Sequence, residues 1–253
     1  MRTNIARIAV GFILALSLAS MAGAQEKIAY DGDPITLRYS SYIPSSSAPQ
    51  QEALERWEKS LKEATNGKIQ LKTYLGGVLH GARDGFKACI NDVTDLTMGF
   101  PAYNPTSFHL MHVYDLPFAV KDPIMDSYIS EKLYPEYFKP EYENMGVYMA
   151  VNFLLPPYHI LSKKPIRSLE DIQGLKIRAS GGSSSRMWKA LGAVPVALPS
   201  PEIYNAFQRG MIDAVAWNAS GFQVYRLHEV GKHITPLNIS SVMCTCCFNK
   251  KTF

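Results

Sequence analysis

The chain has 253 residues, 47% of them hydrophobic and 19% charged, a balance that suits one or two globular domains and excludes a disordered chain. Its formal charge is +4, and setting aside residues 1–24 removes Arg2 and Arg7, so 26 basic residues become 24 against 22 acids and the balance falls to +2. That excess is too small for a nucleic-acid surface, and no lysine and arginine cluster is interleaved with aromatics.

Arg2 and Arg7 flank the start of an apolar run, Ile8 to Met21, and Ala22-Gly23-Ala24 has the small-x-small form of a signal peptidase site. Residues 1–24 therefore read as a secretory signal peptide, with Gln25 starting the exported mature protein. The run is short for a membrane span, and no later segment is apolar for long enough to cross a bilayer.

Ile35 to Ser40 reads as a first strand, ending in the loop SYIPSSSAPQ. From Ala48 a helix is predicted, with Leu54, Trp57, Leu61 and Ala64 on one face, stopped by Asn66-Gly67. Lys68 to Tyr74 alternates as an amphipathic strand should. Gly76-Gly77 turns the chain, a helix runs through Phe86 and Ile90, and a strand covers Thr94 to Phe100. Phe100 to Pro123 reads as an ordered crossover loop, because Leu110, Leu116 and Phe118 must pack somewhere. Val147 to Val151 and Tyr158 to Leu161 are expected strands through which the chain passes from one half to the other.

In the second half, Ser168 and Asp171 read as an N-cap and partial capping box for one helical turn closed by Gly174. Leu175 and Ile177 then alternate with Lys176 and Arg178 in a strand that runs out into Ser180, Gly181, Gly182 and three more serines. A helix from Ser185 to Leu191, a strand from Val194 to Leu198, a helix opened by Pro201 and a strand from Ile212 to Trp217 complete a second βαβαβ order. The two endings agree in detail. Phe86 to Gly99 and Tyr204 to Asn218 each run from an aromatic-led helix through a short turn to an aspartate, Asp95 or Asp213, that opens a strand. Asp213 reads as structural because it recurs as Asp95. The repetition predicts an α/β fold of two lobes, residues 25–150 and 151–240, with a ligand cleft between the lobes. Residues 241–253 are expected to be a strand returning toward the first lobe and read as an incomplete end, with no closing helix in the pattern after it.

Arg178 falls at the carboxyl end of its strand, where ligands collect in open α/β sheets. A guanidinium there is a permanently charged fork for a carboxylate, so Arg178 is expected to hold a small organic anion, against the plainer alternative of a surface ion pair. Trp217 and Tyr103 can form stacking walls with a polar edge or belong to the core. Asn218 can donate and accept at the cleft, or cap the helix beginning near Ser220. Tyr158 offers a phenol donor.

Stretches along nearly the whole mature chain stand in one order: SYIPSSSAPQQEALERWEKSLKEATNGKIQLKTYLGG, INDVTDLTMG with Tyr103 just after it, DLPF at Asp115 to Phe118, KKPIRSLEDIQGLKIRAS, LGAVPVALPSPEIYNAFQRGMIDAVAWN and HEVGKHIT. This ordered set resembles the periplasmic solute-binding proteins of TRAP transporters, the DctP-like family. The resemblance implies a two-lobed periplasmic receptor that closes on an organic acid and delivers it to a permease driven by an ion gradient. It places the family's signature arginine on Arg178 and draws further pocket residues from Trp217, Asn218 and the loop holding Tyr103. The second arginine of many sialic-acid and dicarboxylate members is absent, with Tyr158 and His159 in that region, which favours a monocarboxylate or a more aromatic ligand. Family members continue with long helices that brace both lobes, so the chain resembles a C-terminally truncated copy.

Nothing in the sequence points to an enzyme, a cofactor or a metal site. GGSSS is not a nucleophile elbow, Gly181-Gly182 lacks the lysine of a phosphate loop, and His109 and His112 stand three apart without a third ligand. Cys89, Cys244, Cys246 and Cys247 lack zinc spacing. A bridge from Cys89 to the CTCC cluster in an oxidising compartment stands beside the plainer reading of small buried residues. The alternative in another functional class is an extracytoplasmic sensing domain that uses the same closed state to signal to a membrane partner.

Overall fold

The computed structural model describes Tyr30 and residues 32–252, so the expected signal peptide lies outside the described residues. The strands are β1 (Ile35–Ser40), β2 (Ile69–Tyr74), β3 (Leu96–Gly99), β4 (Val147–Leu154), β5 (His159–Ser162), β6 (Lys176–Ala179), β7 (Val194–Ala197), β8 (Ala214–Trp217), β9 (His233–Thr235) and β10 (Met243–Asn249). The α-helices are α1 (Ala48–Ala64), α2 (Gly85–Ile90), α3 (Pro123–Leu133), α4 (Lys139–Met145), α5 (Gly182–Ala190), α6 (Ile203–Gln208) and α7 (Ala219–Val224).

Two five-stranded mixed sheets follow one plan. The first has the order β2-β1-β3-β10-β4 and the second β7-β6-β8-β5-β9. In the first, β1 runs parallel to β2 and β3, and β10 is antiparallel to β3. In the second, β6 runs parallel to β7 and β8, and β5 is antiparallel to β8. The repeated aspartate does the same work in both. Asp95 takes the Arg38 N–H on its carboxylate at 2.8 Å and gives its own N–H to the Arg38 carbonyl at 3.0 Å. Asp213 does this to Lys176, at 3.1 and 2.7 Å. Each aspartate thus clips the start of its strand to the parallel neighbour.

Strand alternation sorts the first sheet into two faces. Leu37, Tyr39, Ile69, Leu96, Cys246 and Phe248 share one cluster with Trp57 and Leu61 of α1. Ser40 and Thr97 point the other way, to His80, whose Nε2 lies 2.8 Å from Ser40 Oγ and 3.0 Å from Thr97 Oγ1. Helix α2 lies on this second face. A Cβ on Gly85 would stand 2.9 Å from the Met98 carbonyl oxygen and 3.3 Å from Thr97 Oγ1, so glycine is what permits that approach.

The chain divides into two compact units. One takes the described residues up to Gly99, Tyr142–Asn152 and those from Thr245, and the other takes Phe100–Glu141 and Phe153–Cys244. This differs from the expected boundary at 150, because residues 100–141 belong with the second unit. Tyr103 OH lies 3.2 Å from Ser200 Oγ, and the Phe118 N–H donates to Ile239 at 2.8 Å. The crossover is ordered as expected, but its inward residues are different ones. Leu110–Asp115 is a 3₁₀ helix, whose three-residue turn puts Met111 and Tyr114 inside together. Leu110 and Leu116 are exposed, as is Phe118, instead of packing as expected.

Helices α3 and α4 were not read from the sequence, although the start of α3 carries its signal. The Asp122 carboxylate accepts from the Ile124 and Met125 N–H groups at 2.9 and 3.1 Å, with Pro123 at the first position. Pro135 and Pro140 then each remove a donor, and between α3 and α4 the chain widens into a π turn, Tyr134–Phe138.

Candidate functional site

Strand β6 delivers Arg178 to the second sheet between β7 and β8. Beyond it, Gly181 and Gly182 take φ of 121° and 42°, a backbone that other residues avoid. A Cβ on Gly181 would already touch the Ala102 carbonyl oxygen at 3.4 Å. The short 3₁₀ turn Pro101–Tyr103 therefore lies against the end of β6 and brings the Tyr103 phenol to Arg178.

The Arg178 side chain is enclosed, with 1% of the residue exposed. Its Nε–H donates to the Leu198 carbonyl at 3.1 Å, Nη1 to the Ala216 carbonyl at 3.3 Å and Nη2 to Tyr103 OH at 3.4 Å. All three acceptors are neutral, and no ion pair joins Arg178 to a carboxylate among the described residues. Of the five N–H groups, one remains on each terminal nitrogen, the number that a two-point carboxylate takes.

Trp217 is buried at the end of β8, and its ring centroid is 5.1 Å from the guanidinium carbon. This is cation–π distance. Tyr225 covers the indole from the far end of α7, with centroids 5.0 Å apart. Gly221 lies under the indole, where a Cβ would stand 2.6 Å from it. Burial pushes the Tyr225 phenol well above its ordinary range, with Tyr103 adding to the rise and Arg178 opposing it. Tyr158 is fully enclosed and is pushed up by burial against the opposing pull of Arg178. Arg178, Trp217, Tyr103 and Tyr158 are thus brought together.

Asn218 is placed differently. Its Oδ1 accepts from the Gly221 N–H at 2.7 Å and the Ser220 hydroxyl at 2.8 Å, as the N-cap of α7. Of the two readings open to it, the cap is the one that occupies its oxygen.

Two further groups were missed by sequence reasoning. Tyr225 OH and His159 Nδ1 are both buried without a hydrogen-bond partner, and both flank Trp217, His159 as its cross-strand neighbour. The signal for Tyr225 lay in Asn218: a helix capped there returns the residue two turns later over Trp217. His112 Nδ1 lies 2.6 Å from an Asp115 carboxylate oxygen. Burial raises the Asp115 carboxyl above its usual range, and the bond to His112 opposes this.

Among known proteins, the chain is 24% identical over 233 residues to the C4-dicarboxylate-binding periplasmic protein DctP of Rhodobacter capsulatus, covering 91% of this chain and 66% of that one. It spans 59% and 67% of the length of two other curated relatives, between about three fifths and two thirds. A TRAP periplasmic solute-binding protein from Desulfovibrio salexigens superposes with a TM-score of 0.71 at 27% identity, over 86% of this chain and 67% of that one. A marine metagenome TRAP solute-binding protein in complex with 3-hydroxybenzoate gives 0.82 at 22% identity, over 87% and 70%. These likenesses identify the α/β fold as that of the TRAP periplasmic binding proteins. The model of bacterial extracellular solute-binding protein family 7, DctP, matches residues 40–253, and the chain belongs to that family.

Proposed function

We propose that this chain is an extracytoplasmic receptor that captures a small organic acid at Arg178 and hands it to a TRAP-type permease, with closure of the protein around the ligand as its working motion. The carrying observation is a guanidinium enclosed among neutral oxygens. A buried cation is costly unless an anion accompanies it. The ligand carboxylate supplies that anion, and the receptor changes no bond in it.

The aromatic surround of Trp217, Tyr225, Tyr103 and Tyr158 favours one carboxylate on a flat or apolar body. Tyr225 OH and His159 Nδ1 favour a hydroxyl or carbonyl elsewhere on it. The family neighbour crystallised with 3-hydroxybenzoate has a ligand of that description.

Thermal-shift screening of organic acids beside neutral sugars tests the reading, followed by calorimetry on the hits. Acids are expected to bind, and Arg178→Ala to lose about 2 to 5 kcal/mol of affinity. Arg178→Lys keeps the charge without the fork and is expected to recover only part of it. Hits confined to neutral sugars, or an Arg178→Ala protein that binds acids as the parent does, would overturn the proposal.

A further inference from the structure

The second face of the first sheet brings two cysteines together. Helix α2 lies on the side of Thr97, and Cys247 of β10 stands directly opposite Thr97 in the ladder. Alternation along β10 sends Cys246 and Phe248 to the cluster under α1. Thr245 goes the other way, to Tyr142 OH and Asn152 Oδ1 at 2.6 Å each. Cys247 shares Thr245's side and is the CTCC cysteine that faces α2. There the Cys89 sulfur lies 3.8 Å from the Cys247 carbonyl oxygen, and the Cys89 thiol adds to the rise that burial imposes on the Cys247 thiol. Both residues are 0% exposed.

We propose that Cys89 and Cys247 are a disulfide site, oxidised during folding by exchange with a protein disulfide or oxidised glutathione. The Cys89 thiolate attacks the oxidant's disulfide, forming a mixed disulfide and releasing one thiolate. The Cys247 thiol gives its proton to solvent and attacks the Cys89 sulfur, releasing the second. Two thiols become one cystine, and the oxidant's disulfide is reduced to two thiols. The step belongs to the open chain. Once α2 has closed, burial holds the Cys247 thiol well above its ordinary range, and the thiolate needed for exchange is scarce. The bond links positions 158 apart and restricts the unfolded chain accordingly. Only its occurrence in the cell rests on the export reading, since the contact itself is independent of compartment and ligand.

The test refolds the full chain with oxidised and reduced glutathione, or with dithiothreitol, then alkylates it in denaturant for intact mass and peptide mapping. The glutathione sample is expected to show two alkylated thiols, Cys244 and Cys246, one linked peptide pair carrying Cys89 and Cys247, and a higher melting temperature than the dithiothreitol sample. A double variant, Cys244→Ser with Cys246→Ser, is expected to keep the link. Four alkylated thiols, a link through Cys244 or Cys246, or refolding that succeeds only with dithiothreitol would overturn the proposal. Because refolding is done in vitro, failure here leaves acid binding at Arg178 untouched, and failure of acid binding leaves this result standing.

Discussion

Arg178 and Asn218 show what one residue can reveal before its surroundings are known. Arginine at the end of a strand, before a run of glycine and serine, has few chemical uses, and Arg178 stood out in the sequence for that reason. Asparagine before a helix has two uses, and only the position of the Gly221 N–H, 2.7 Å from its oxygen, decides between them. Asn218→Ala is therefore expected to lower stability by about 0.5 to 2 kcal/mol, and Asn218→Asp, which still caps, to restore most of it in a urea titration. Gly221→Ala separates packing from capping. Its methyl meets the indole at 2.6 Å and must displace Trp217 from its place beside the guanidinium, so calorimetry should show weakened acid binding while α7 keeps its cap. Tyr225 stayed out of sight because its place over Trp217 follows only once Asn218 is read as the cap of α7, and that asparagine had two readings.

Elements were legible where hydrophobic period and punctuation agreed. The two βαβαβ halves, the long helix α1 and the matched aspartates followed from the order of residues alone. Helix α3 was missed because Ile124, Met125, Tyr128 and Ile129 are exposed, so no buried stripe marks it, and the 3₁₀ turn at Leu110–Asp115 was misread because a period of three sorts residues differently from a loop. The aspartate clips carry a pH prediction. Burial of Asp95 pushes its carboxyl up, but bonds from the Arg38 side chain and N–H and from Thr252 outweigh it, and the net position is below the usual carboxylate range. A group depressed in the folded state contributes stability that is present above its unfolded value of about 3.9 and lost as pH falls through the folded one. Asp95→Asn should lower stability at neutral pH and flatten the acid limb of a pH-stability curve. Asp213, whose side chain clips the Lys176 N–H without a guanidinium partner, should show a smaller loss at neutral pH for the same substitution.

Across the whole molecule, neither unit is a continuous stretch of chain. The boundaries fall after Gly99, Glu141, Asn152 and Cys244, and β4 and β10 each contribute residues to both units. The sequence showed two halves but could not show this interleaving, because a boundary inside a strand leaves no change of composition to read. A fragment of residues 25–99 lacks β4 and β10 and is expected to give no cooperative melting transition, whereas residues 25–253 should give one. The enclosed guanidinium also bears on how the protein is handled. Salt screens charges that are open to water far more than an ion pair shut away from it, so sodium chloride should be a mild competitor. On the proposed capture of a carboxylate at Arg178, acetate, formate and citrate should compete with the ligand, and an affinity measured in such a buffer would report an exchange of one acid for another.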